Sequence, residues 1–190
     1  MTGAAGSGKT FVLNEYITYL KHRGVKVGVT ASTGIASTHI GGATIHSWSG
    51  IGIREDLSED EVEQIVEREY LWKRINKAKV LIIDEVSMLH SFLLDMVDKV
   101  CRSFKASYEP FGGIQVVLCG DFFQLPPINK NGENANFIDK SQVWNNMDLK
   151  ICYLDEQHRH NDDELTKILN DMRMNNTGEH TLIPLRKRYK

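Results

Sequence analysis

Eight residues near the start of the chain have the types and spacing to hold a nucleotide. Gly3-Ala4-Ala5-Gly6-Ser7-Gly8-Lys9-Thr10 fits G-x-x-x-x-G-K-[ST], a phosphate-binding loop. Glycines let the backbone curl so that successive N–H groups point at phosphate oxygens. Lys9 reaches the β- and γ-phosphates in such a loop, and the Thr10 hydroxyl ligates Mg²⁺. A following helix adds the positive end of its dipole. That helix is legible: Leu13, Tyr16, Ile17 and Leu20 recur at helical spacing, and Gly24 is a stop signal. The bland alternative is a glycine-rich turn, which needs no such helix. A phosphate loop normally hangs from a buried strand, yet only Met1 and Thr2 precede this one. The first strand is therefore expected to be missing or a stub, and the chain reads as a fragment, or a truncated reading frame, of something longer.

Other candidate groups follow apolar runs. Val80-Leu81-Ile82-Ile83 ends in Asp84-Glu85. A buried parallel strand reads this way. Asp84 would hold Mg²⁺ through water, and Glu85 would act as general base on the attacking water. Acids also end ordinary strands, so the pair gains weight from the upstream loop. Gly120-Asp121-Phe122-Phe123-Gln124-Leu125-Pro126-Pro127 follows the next apolar run. In open α/β sheets, ligands sit off the carboxyl ends of strands, which suits Gln124 to sensing the γ-phosphate and the attacking water. The competing reading is a polar loop stiffened by its prolines. Arg159, after a further strand, could stabilise charge on the transferred phosphoryl group or merely pair with Asp155 or Glu156. Cys152, His158 and His160 lack a fourth ligand and zinc spacing. Thr30, Ser32, Thr33, His46, Ser47 and Trp48 fall after the second strand. Hydroxyls, N–H groups and one aromatic suit a single nucleic-acid strand, with phosphates held and bases stacked. The alternative puts Trp48 and Ile45 in the core.

The frame that must position these groups follows from the pattern. Runs at 25–30, 80–84, 114–119 and 149–154 read as strands; 35–40, 91–104 and 161–174 read as helices, and 54–70 as an acidic amphipathic stretch. In the last helix, Leu165, Ile168, Leu169 and Met172 are expected to face inward. Alternating strands and helices predict an α/β fold, a mostly parallel sheet with helices on both faces. At 190 residues and net charge −2, the chain fits one domain without a global basic field. Any nucleic-acid contact must then come from a local strip. Three scattered cysteines, each among apolar residues, predict buried free thiols in a reducing compartment. No apolar run approaches the ~18 residues of a membrane span.

The combination resembles the Pif (petite integration frequency) family of DNA helicases. The likeness is carried by residues 3–10, Val29-Thr30-Ala31-Ser32-Thr33-Gly34, residues 41–52, Ile82-Ile83-Asp84-Glu85-Val86-Ser87-Met88, Pro110-Phe111-Gly112-Gly113-Ile114-Gln115 and residues 120–127. It covers nearly the whole chain. It implies the first RecA-like motor domain of a P-loop, superfamily-one ATPase that moves 5′ to 3′ on single-stranded DNA and unwinds duplexes, forks and G-quadruplexes. ATP and Mg²⁺ are the implied cofactors. The resemblance also implies the roles given for Lys9, Thr10, Asp84, Glu85, Gln124 and Arg159, and backbone DNA contacts for Thr30, His46 and Ser47. His160 departs from the glutamine usual after the arginine. An upstream adenine-contacting motif and a second RecA-like domain are expected to be missing here. Residues 1–185 are then the motor domain, and the basic residues 186–190 begin a linker. The expected location is intracellular: cytoplasm or nucleoid in a prokaryote, nucleus or mitochondrion in a eukaryote. Two other classes compete. A P-loop small-molecule kinase would need lid arginines, and residues 120–136 contain none. A non-catalytic remnant would bind without turnover.

Overall fold

The computed structural model describes residues 1–128, 136–156 and 163–189. Arg159, His158 and His160 lie outside the described residues. Strands β2 (Val27–Ala31), β4 (Val80–Asp84) and β5 (Gln115–Leu118) form a parallel core, with the two-residue β3 (Ala43–Thr44) outside β2. Strand β1 (Thr2–Gly3) pairs in parallel with β6 (Tyr153–Leu154). A parallel bridge from Thr2 to Gly120 sets β1 beside the end of β5. The strand order across the molecule is therefore β3-β2-β4-β5-β1-β6.

Strand β1 is held from both sides. The Met1 nitrogen donates to the Leu118 carbonyl at 2.8 Å, Thr2 N–H to Cys152 at 2.8 Å, and Gly120 N–H to Met1 at 3.3 Å. Those bonds anchor the loop that follows.

Strand β4 is buried along its whole length because both of its faces are covered. Leu81 and Ile83 enter one apolar cluster; Val80 and Ile82 enter another. The second cluster is closed by Leu13, Ile17 and Leu20 of α1 (Lys9–His22). The first is closed by α3 (Ile45–Ser49), α4 (Glu59–Val66), α5 (Glu69–Lys77) and α6 (Ser91–Lys105). Helix α2 (Gly34–His39) lies between β2 and β3 in sequence. Phe111, fully buried, pins the 110–113 turn under α6, where Asp98 accepts its N–H at 2.6 Å.

Several elements depart from the sequence pattern. The acidic stretch is two helices, parted where Arg68 adopts an extended conformation. Ser58 caps the first of them in a box with Glu61. Helices α7 (Gln142–Asn146) and α9 (Glu179–Arg188) carried no clear sequence signal. Helix α9 runs through the boundary expected at residue 185. In α8 (Asp163–Arg173), Ile168 is buried, but Leu169 and Met172 are 42% and 56% exposed. Cys101 and Cys119 are buried, whereas Cys152 is exposed because β6 stands at the sheet edge. Among the described residues, no helix is long and apolar enough to cross a membrane.

Candidate nucleotide and nucleic-acid site

The carboxyl ends of β1, β4 and β5 open toward one region, and each delivers one expected motif. After β1 the loop turns through Gly6 (φ 84°) and Gly8 (φ 82°), conformations that a side chain would strain. Gly8 caps α1, and Val12 N–H donates back to its carbonyl at 3.0 Å. Lys9 is buried. Its Nζ donates to the Gly3 and Ala4 carbonyls, both at 2.9 Å. The ammonium thus holds its own loop closed. Ser7 Oγ is buried with no hydrogen-bond partner. Buried polar groups are nearly always paired, so this hydroxyl stands out within the loop. Thr10, in the first turn of α1, is half-buried.

Asp84 is buried at the end of β4 and accepts the Glu85 N–H at 2.9 Å. Glu85 is half-buried, with φ 55° and ψ 46°. Left-handed backbone costs a residue with a side chain about 1–2 kcal/mol, and such strain gathers at functional sites. Burial pushes the Cys119 thiol up, and the neighbouring Asp84 carboxylate pushes it further. Cys119 thus stays a neutral thiol beside Asp84.

Beyond β5, Asp121 is 1% exposed and organises the next loop. It accepts the Phe123 N–H at 3.1 Å and Gln124 Nε2 at 3.4 Å. Arg173, the last residue of α8, binds it with two parallel N–H bonds of 2.8 Å. Burial alone would raise the Asp121 carboxyl; bonds from Arg173 and Phe123 and the Lys9 charge hold it below the ordinary range instead. A cleft of ≈ 500 Å³ opens here, lined by Gly3 and Ala4 of the loop, Phe123, Leu154, Asp155 and Arg173 among others. A second space of ≈ 290 Å³ adjoins it, bounded by Ala5, Asp121 and Gln124. Arg173 had no motif signal, since its partner lies 52 residues away.

The residues expected at nucleic acid separate into two sets. Because β2 and β3 pair in parallel, residues 32–33 and 45–47 leave the sheet at the same end. Thr33 caps α2, accepting the Ala36 N–H at 3.2 Å. Ser32 Oγ is buried and unpartnered, Ser47 is exposed, and His46 is half-buried, its pKa lowered by that burial. These can form a surface. Thr30 and Trp48 cannot join it as the chain is folded here. Thr30 is fully buried, and its hydroxyl donates to the Ile82 carbonyl at 2.6 Å. Trp48 is 4% exposed in the core with Ile45, so the packing alternative prevails for the indole. Pattern reading missed Arg74, whose Nη2 donates to the Ser47 carbonyl at 3.2 Å and whose guanidinium lies 5.7 Å from the exposed Tyr70 ring.

Residues 1–177 match the family described as PIF1-like helicase. The chain belongs to the PIF1-like helicase family. It is 50% identical over 185 residues to the ATP-dependent DNA helicase Pif1 of Psychrobacter sp. (strain PRwf-1), a match covering 93% of this chain and 28% of that protein. Against the ATP-dependent DNA helicase RRM3 of Saccharomyces cerevisiae, identity is 42%, covering 90% of this chain and 24% of the relative. The fold is similar to crystal structures of the Pif1 helicase of Candida albicans (TM-score 0.87, 36% identity, 95% of this chain and 41% of that one) and of Bacteroides Pif1 with ADP-AlF3 and ssDNA (TM-score 0.81, 34% identity, 95% and 43%). The chain spans about a quarter of the length of these curated relatives. Its architecture is the RecA-like P-loop fold of a PIF1-like motor domain.

Proposed function

We propose that these residues form the first motor domain of an ATP-dependent DNA helicase moving 5′ to 3′ on single-stranded DNA. One observation carries the reading: a lysine-bearing phosphate loop, a buried carboxylate with a neighbouring glutamate, and a carboxylate-anchored glutamine loop converge at one sheet end. Lys9 exchanges its two loop carbonyls for phosphate oxygens when ATP enters. Ser7 gains the partner it lacks. Glu85 takes the proton of the attacking water, and Gln124 senses the γ-phosphate. Arg159 is assigned to charge stabilisation by resemblance alone. The donors at Thr10 and Asp84 are oxygens, which suit a hard divalent cation. Among the described residues no three His, Cys, Asp or Glu side chains converge as a metal cluster, so a cation here would depend on nucleotide oxygens. Mg²⁺ would neutralise phosphate charge in that setting.

At the same end of the sheet, toward its β3 edge, Ser32, Thr33, His46 and Ser47 are assigned to the DNA backbone, with Arg74 and Tyr70 added beside Ser47. Single strands, forks and G-quadruplex junctions are the proposed partners, and the compartment is that of the DNA. The test is calorimetry of ATP binding to the wild-type chain and to Lys9→Ala. Loss of affinity in the variant supports the reading; equal affinities reject it.

A further inference from the structure

We propose that Arg173 is a positioning residue for the γ-phosphate-sensing loop: its forked bond to Asp121 orients the carboxylate on which Gln124 rests. This rests on reading Gln124 as the sensor, and it extends that reading to a residue on another helix.

The reasoning begins with a buried charge. At 1% exposure, the Asp121 carboxylate needs compensation. Arg173 supplies two N–H bonds, Nη1 to Oδ2 and Nη2 to Oδ1, both at 2.8 Å. A planar guanidinium bound this way fixes the carboxylate plane as well as its charge. The remaining capacity of each oxygen is then aimed. Oδ1 takes the Phe123 N–H at 3.1 Å, and Oδ2 takes Gln124 Nε2 at 3.4 Å. Gln124 N–H closes the turn on the Asp121 carbonyl at 2.9 Å. The guanidinium also lies 4.4 Å from the centre of the Phe123 ring, which is otherwise 70% exposed. Arg173 therefore grips the loop at Asp121 and at Phe123, and Gln124 follows both.

Position supports the same role. Arg173 ends α8 and lines both spaces beside the phosphate loop, with Ala4 as a shared wall. Two of its N–H groups are committed to Asp121, so its main action on a nucleotide passes through the loop. Lysine could keep the charge but not the fork. Arg173→Lys should therefore keep the loop near the site while releasing the carboxylate plane.

The experiment titrates the 190-residue chain with ADP and with AMP-PNP, each with Mg²⁺, to millimolar concentration. Wild type, Arg173→Lys, Gln124→Ala and the double variant are compared, with binding followed by amide chemical shifts in NMR. Wild type should prefer AMP-PNP, and Gln124→Ala should erase the preference. Arg173→Lys should reduce it by about two- to tenfold, the worth of one neutral hydrogen bond, with ADP affinity unchanged. The double variant should match Gln124→Ala. A merely structural arginine would weaken both nucleotides alike, and that result overturns the proposal. If Gln124→Ala loses the preference while Arg173→Lys keeps it in full, only the role of Arg173 fails. If wild type has no preference, the sensor reading fails and takes the proposal with it.

Discussion

Replacing Trp48 by alanine separates packing from base stacking. The indole is 4% exposed and shares a cluster with Ile45, Ile51 and Leu71, all fully buried. A Cβ added at Gly28 would fall 2.7 Å from its ring, so strand β2 has yielded its side chain to this contact. Truncating a buried Trp or Phe to Ala costs about 3–5 kcal/mol. In a chain of this size each kcal/mol lowers Tm by about 2–4 °C, so Trp48→Ala should lower it by about 6–20 °C. Trp48→Phe should cost less, because a ring still fills most of the space. Gly28→Ala should destabilise from the opposite side, by about 1–3 kcal/mol of overpacking. Thermal unfolding by circular dichroism measures all three. DNA anisotropy, at a temperature where each variant is folded, measures the rest, and affinity for single strands should stay near wild type. An unchanged Tm with lost DNA binding in Trp48→Ala would refute the packing argument and return the indole to the nucleic acid.

Further outcomes follow from the same geometry. In a longer chain with both motor domains, Glu85→Gln should bind ATP normally and lose about 10²–10⁴-fold in hydrolysis, read by phosphate release; a wild-type rate would exclude Glu85 as the base. Asp121 is ionised more readily in the fold than its ordinary value of 3.8. A depressed carboxyl binds fewer protons folded than unfolded, so its contribution to stability is present above that value and fades as pH falls through the lower, folded one. The stability gap between wild type and Asp121→Asn should be constant above about pH 5 and shrink in more acid solution; denaturant melts across pH show whether it does. DNA binding should fall with salt along a shallow slope, because Ser32, Thr33 and Ser47 are neutral donors and Arg74 the cation beside them; anisotropy between low and moderate salt checks the slope.

The elements on the nucleotide side were legible because their signals are local. Residues 3–10 are contiguous, running from the end of β1 through a turn into α1, and the apolar run before Asp84 is a strand covered on both faces. What sequence could not supply was contact at a distance. Arg173 meets Asp121 across 52 residues, and Arg74 meets Ser47 across 27. Neither pair leaves a spacing to read. Thr30 and Trp48, both buried, were ambiguous for another reason: hydroxyls and indoles serve cores and surfaces equally well, and only packing tells them apart. Leu169 and Met172 kept the helical period, yet they stand exposed while Ile168 is buried. The short β1 was anticipated, but its anchoring was not, because its bonds run to Leu118 and Cys152, far along the chain.

ATP hydrolysis, with and without single-stranded DNA, tests the central claim most directly. The 190 residues should be assayed beside a chain continuing into a second RecA-like domain. Loss of an arginine finger alone costs 10³–10⁵-fold in phosphoryl transfer, so the single domain should hydrolyse negligibly under both conditions. The longer chain should be stimulated by DNA and silenced by Lys9→Ala. DNA-stimulated hydrolysis by the single domain at the longer chain's rate, or a longer chain indifferent to DNA, would contradict a motor domain that works as one wall of its site.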